Sequence, residues 1–161
     1  MTKNIDYWVN YLKLARHPEG GFFKETYRSE QVFIPEGYTG ERSVSTSIYY
    51  MLGQSDFSSF HKLKSDEIWH YYFGDTARLH MIDDEGKYQI RDVGPNPESG
   101  EAFQVLIPAN TWFAAETLGE YSLVGCTVAP GFDFTDFNLS GRETMLELFP
   151  KHREIILRFT R

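Results

Sequence analysis

The sequence predicts an all-β barrel or sandwich with short helices at both ends, on three observations. Between Gly21 and Val128, short runs rich in Tyr, Phe, Ile, Val and Thr alternate with turn signals such as "GQSD", "DDEG", "GPNPESG" and "PAN". There are about eight such runs, at the pitch of barrels and sandwiches. Aromatic content is 16%, with 13 Phe and 10 Tyr, so a core of large rings is available.

At the N-terminal end, Ile5, Trp8, Val9 and Leu12 fall at helical spacing and predict a short amphipathic helix that "HPEGG" stops. The strand candidates follow in order: "FFKETYR", "SVSTSIYYML", "EIWHYYF", "ARLHMI", "KYQIRDV", "FQVLI", "TWFAAE" and "YSLVGCTV". After Phe137 the texture turns helical. Ser140 with Glu143 three residues on reads as a capping box ahead of "TMLELF", Pro150 interrupts, and "KHREIILRFTR" closes as a partly solvated helix. With no repeat or composition break, the expectation is one domain over 1–161: a helical segment at 1–17, the barrel at 21–139 and helices at 140–161.

A net charge of −7 argues against non-specific binding to nucleic acid or an anionic membrane. The single cysteine, Cys126, excludes an intrachain disulfide and a multi-cysteine metal site, and its apolar strand makes it a buried, inert thiol. No apolar run reaches the ~18 residues of a spanning helix. "MTKNIDYWVNYLKL" is too polar for a secretory signal, so the expected location is cytoplasmic. No glycine-rich phosphate loop and no serine-hydrolase elbow is present.

The stretch "SSFHKLKSDEIWHYYFGD" concentrates the chemistry. It resembles the first motif of cupin barrels, with His61 in the first histidine position, Glu67 in the acid position and Gly74 six residues beyond. Leu63 stands where a second histidine belongs. "PANTWF" resembles the second motif, with Pro108 in place, Asn110 for glycine and Phe113 for histidine. Together with "HPEGGFFKETYRS" and "SLVGCTVAPGFDFTDF", these stretches are similar to the cupin type 5 group (DUF985). That resemblance implies a double-stranded β-helix, or jelly-roll, barrel and a homodimer. "GGFFKE" and "FHKL" also resemble metal-independent sugar-nucleotide epimerases, whose base His61 would match. Gly20 replaces their phosphate-binding arginine, which argues against a nucleotide substrate. In those enzymes the strand matching "FFKETYRS" lines the partner's pocket, which makes Glu25 and Tyr27 ligand candidates.

The chemistry of the residues sets three readings side by side. With two ligand positions filled by Leu63 and Phe113, His61 and Glu67 alone hold a divalent ion weakly, and no cofactor is expected. A histidine beside a carboxylate is instead prepared as a general base, with a donor for the developing enolate supplied by a tyrosine or Lys64. Strict alternation puts Glu67, Trp69, Tyr71 and Phe73 on one face and His70 on the other, so His70 reaches the lumen only through a bulge. Trp112 and Phe113, after Pro108, are placed to floor or gate a ligand pocket. His17, His80 and His152 read as surface or structural, and Asp133 and Asp136 as braces of the exit loop. The preferred reading is a barrel that binds a small polar or carbohydrate-like ligand in an aromatic lumen; given catalysis, the first choice is metal-independent isomerisation or epimerisation with His61 as base and Glu67 as its partner or a ligand contact. A non-catalytic binding protein and a metal-dependent enzyme with an atypical ligand set are the alternatives.

Overall fold

The computed structural model describes residues 3–161. Helix α1 (Ile5–Leu12) precedes β1 (Ala15–Arg16), β2 (Phe22–Arg28), β3 (Val32–Phe33), β4 (Arg42–Ser43), β5 (Thr46–Gly53), β6 (Ser58–Leu63) and β7 (Asp66–Gly74). There follow β8 (Ala77–Ile82), β9 (Tyr88–Val93), β10 (Gln104–Ile107), β11 (Trp112–Thr117), β12 (Tyr121–Ala129), β13 (Phe137–Leu139), α2 (Arg142–Leu148) and α3 (Arg153–Arg158). The chain forms a six-stranded sheet, β1-β2-β5-β12-β7-β10, and a five-stranded sheet, β13-β6-β11-β8-β9, with antiparallel pairing throughout. The strand texture predicts an all-β barrel or sandwich, and the form found is the jelly roll that the family resemblance implies.

Alternation along each strand explains the layers. In β11, Phe113 and Ala115 point between the sheets, while Trp112 and Ala114 point outward. The inter-sheet core gathers Tyr50, Leu52, Trp69, Leu79, Met81 and Phe113. The outer face of the five-stranded sheet is apolar too, and Met145, Ile156 and Phe159 of the C-terminal segment cover its Phe60, Ile82 and Trp112. Helix α1 does the same for the six-stranded sheet, laying Trp8 and Val9 against Met51, Tyr121 and Leu123. Asn4 caps that helix, its Oδ1 accepting from the Tyr7 N–H at 3.0 Å. The capping box expected at Ser140 does not form: Gly141 is the N-cap of α2 and no side chain caps it.

"HPEGG" is a turn, and it also builds the site. The His17 N–H donates to Gly21 O and the Gly20 N–H to His17 O, each at 3.0 Å. Gly20 has φ +112°, and a Cβ there would lie 2.0 Å from Phe57 O, so only glycine fits. The turn is clamped from below by Arg161, which donates to Glu19 O at 2.8 Å and to Asp56 Oδ1 at 2.6 Å. Glu19 is thereby fixed against β6.

Candidate functional site

A cavity of about 310 Å³ opens at one end of the space between the sheets, in the size range of small-ligand sites. Its floor is polar: His17 and Glu19 from the turn, His61 from β6, Glu67 from β7. Its walls and mouth are aromatic, with Phe23, Phe132, Phe134 and Phe137. The last three rings pack on one another at 4.9–6.0 Å between centroids.

His61 is the most constrained group. Its Nδ1 lies 2.7 Å from Ser59 O and its Nε2 3.0 Å from Glu19 Oε2, while its ring is held by Phe113 at 4.1 Å and Phe137 at 5.4 Å. A carbonyl and a carboxylate only accept, so both ring nitrogens must donate and the ring is an imidazolium. The electrostatics agree. Burial alone would lower the His61 pKa, but the Glu19 charge and hydrogen bond outweigh it and raise it. Burial would raise Glu19, yet His61 brings it down to about 2. The partner of His61 is therefore Glu19, a residue that reads in the sequence only as part of a turn, and not Glu67.

Glu67 is free to titrate. Burial pushes its carboxyl up, the nearby His61 pulls it down, the Glu19 charge pushes it up again and the Trp69 N–H lowers it, leaving it at about 7. Its Oε1 accepts from Trp69 Nε1 at 2.9 Å. Cys126, also on the cavity wall, is buried, and burial raises its thiol well above the usual range.

The other sequence-derived candidates divide. Glu25 lines the mouth, but Tyr27 does not: it is 54% exposed. A bulge between Glu25 and Tyr27 shifts the alternation, so that Arg28, opposite Thr46, follows Glu25 toward the cavity. Arg28 grips both Glu25 oxygens at 2.9 and 2.7 Å and donates to Phe132 O at 3.0 Å. Lys64 lies outside the cavity, donating to Gly37 O and covering the Tyr38 ring at 4.5 Å. His70 stays on the outer face of its sheet, bonded to Thr127 Oγ1 at 3.0 Å. Trp112 lies outside the lumen as well, under the C-terminal helices with Lys62 4.8 Å over its ring, because successive strand residues face opposite ways. Phe113 backs His61 from the core without lining the cavity. His80 is buried and bonds Tyr88 Oη at 2.7 Å and Glu116 at 3.0 Å, while His152 bonds Gly86 O at 2.7 Å. His17 is not a surface residue; it lines the cavity. Asp133 caps Thr135 and Asp136 takes a bidentate bond from Arg42, bracing the loop that carries the mouth phenylalanines.

The residues do not fit a divalent ion. Both His61 nitrogens already face oxygen acceptors, Leu63 and Phe113 stand at two histidine positions, and among the described residues no three His, Cys, Asp or Glu converge as a ligand set.

Comparison with known proteins adds the following. Residues 6–140 match the family model described as Cupin superfamily (DUF985). The chain is 30% identical to "Uncharacterized protein YML079W" of Saccharomyces cerevisiae, over 94% of this chain and 83% of that protein. Two solved structures superpose over 98% of both chains: a hypothetical protein from Leishmania major, with TM-score 0.92 and 33% identity, and protein SO0799 from Shewanella oneidensis, with 0.91 and 36%.

Proposed function

From the premise that the chain belongs to the DUF985 family of the cupin superfamily, we propose that it binds a small organic molecule in the inter-sheet cavity and exchanges a proton with it through Glu67. The observation that carries this reading is the commitment of both His61 nitrogens to Ser59 O and Glu19. An imidazolium has no lone pair and abstracts nothing, so the acid–base role moves from His61 to Glu67. A carboxyl poised at about 7 is half ionised at neutral pH, where a general base is most useful. His61, held positive beside it, supports the ionised form and fixes the electrostatics of the floor. The aromatic mouth suits a ligand with an apolar part, and the polar floor suits one or two oxygen functions.

The chemistry is a metal-independent isomerisation or epimerisation: Glu67 takes a proton from carbon next to a carbonyl and returns it to a different position or face. The experiment is a thermal-shift screen against neutral carbonyl compounds, sugars and keto acids, followed by solvent-deuterium exchange into whichever compound raises the melting temperature. Glu67→Gln should bind the same compound and lose exchange by about 10²-fold or more. Exchange unchanged in that variant removes Glu67 from the role, and saturable binding without exchange in the native protein makes this a binding protein only.

A further inference from the structure

His17 is the one floor residue whose ring carries an unused donor. The Glu19 N–H donates to His17 Nδ1 at 3.2 Å, which makes Nδ1 an acceptor and leaves the ring proton on Nε2. Nε2 has no hydrogen-bond partner among the described residues, although the side chain is only 7% exposed. Among those residues the one sealed polar side-chain atom without a partner is Ser58 Oγ, so Nε2 is not sealed, and the residue lines the cavity. The Phe23 ring at 4.6 Å and the Tyr50 ring at 5.9 Å, both edge-on, hold the imidazole in that orientation. Burial lowers the His17 pKa, Glu19 partly offsets this, and the positive His61 lowers it further, consistent with a neutral ring.

We propose that His17 is a second catalytic residue, whose Nε2–H donates to the carbonyl oxygen of an uncharged ketone or aldehyde lodged in the cavity that carries an aryl ring and a C–H bond next to the carbonyl. This rests on the Glu67 reading and names the substrate class for it. A neutral N–H donor and a carboxylate lining one small cavity are the pair that enolisation requires. The electron pair of the C–H bond next to the carbonyl becomes the enol C=C bond, the proton goes to Glu67, and the charge building on oxygen meets His17 Nε2–H. Reprotonation at carbon completes the exchange, with no oxidant or co-reactant.

The class follows from the rest of the lining. His61 is paired with Glu19, and Arg28 with Glu25, which leaves Glu67 and Asp133 as acidic groups with no dedicated cation. An anionic ligand is disfavoured there. The Phe132, Phe134 and Phe137 cluster supplies edges and faces for an aryl ring.

The test uses 2-tetralone, a neutral ketone with a fused aryl ring and an exchangeable benzylic C–H next to the carbonyl, in D2O with the full chain. Deuterium incorporation by the native protein should exceed the buffer rate, and anionic phenylpyruvate should give a smaller thermal shift than 2-tetralone. His17→Asn keeps an oxygen acceptor for the Glu19 N–H but has nothing at the Nε2 position; His17→Gln places an amide N–H there. Exchange should fall by about 10²-fold in His17→Asn and in His17→Phe, and stay within about 10-fold of native in His17→Gln. Asparagine matching native, or glutamine falling as far as asparagine, overturns the proposal, the latter by exposing a structural role. Loss of exchange in Glu67→Gln with none in His17→Asn leaves the Glu67 reading standing and removes His17 alone. A native protein that neither shifts with 2-tetralone nor exchanges it overturns the ligand class proposed here, whereas the cavity reading is decided by its own broader screen.

Discussion

Glu67 couples folding to pH. Its folded pKa of about 7 lies above the ordinary 4.5, because burial disfavours the carboxylate. The group therefore binds more protons folded than unfolded between those values. Its contribution is fully present below about pH 4.5 and is lost as pH rises through 7, a swing of roughly 3 kcal/mol at about 1.4 kcal/mol per unit. Glu19 works in the opposite sense: held at about 2, it stabilises the fold above 4.5 and ceases to as pH falls toward 2. Urea denaturation from pH 5 to 8 should show the native protein losing stability relative to Glu67→Gln, a comparison that cancels His17, His70 and His80, whose lowered pKa values act in the opposite sense. A difference between the two proteins that stays constant over that range contradicts the placement of Glu67. At this scale the sequence was half legible. The spacing of His61, Glu67 and Gly74 marked a site, but His17 and Glu19 lie in a segment whose glycines announce only a turn. Nothing local says that the turn folds back over β6.

Strands were more legible than the directions of their side chains. The runs beginning at Phe22, Ser43, Glu67, Ala77 and Tyr121 all contain strands, since alternation and turn residues are local signals. The bulge in β2 has no such signal, and it exchanges Tyr27 for Arg28 on the cavity side. Arg28, Glu25 and Phe132 O together strap β2 to the loop over the mouth. The pair is about 40% exposed, so it contributes at most ~1 kcal/mol to stability. Arg28→Ala should accordingly leave the urea midpoint nearly unchanged while speeding both entry and exit of a bound ligand in stopped-flow measurements. A large stability loss would mean that the strap is structural.

At the scale of the molecule, three apolar clusters stack in layers: one between the sheets, one under α1 and one under the C-terminal helices. The layering follows from composition, because the jelly roll has two outer faces and the sequence makes both partly apolar. What composition does not show is that the helical ends are covers. Trp112 illustrates the point: beside Pro108 it reads as a gate, yet it belongs to the layer that Phe159 and Met145 close. Phe159→Ala, which empties a fully buried site, should cost about 3–5 kcal/mol, measured by chemical denaturation. A cost below 1 kcal/mol would mean that the C-terminal cover is dispensable.

The bond from Trp69 Nε1 to Glu67 has a practical side. An indole whose ring N–H touches a titrating carboxyl changes its emission wavelength with the charge of that carboxyl. Trp8 belongs to the N-terminal cover and Trp112 sits under the C-terminal one, both away from the cavity floor, so Trp69 acts as an intrinsic fluorophore reporting, without any label, when the cavity changes its charge or its occupant.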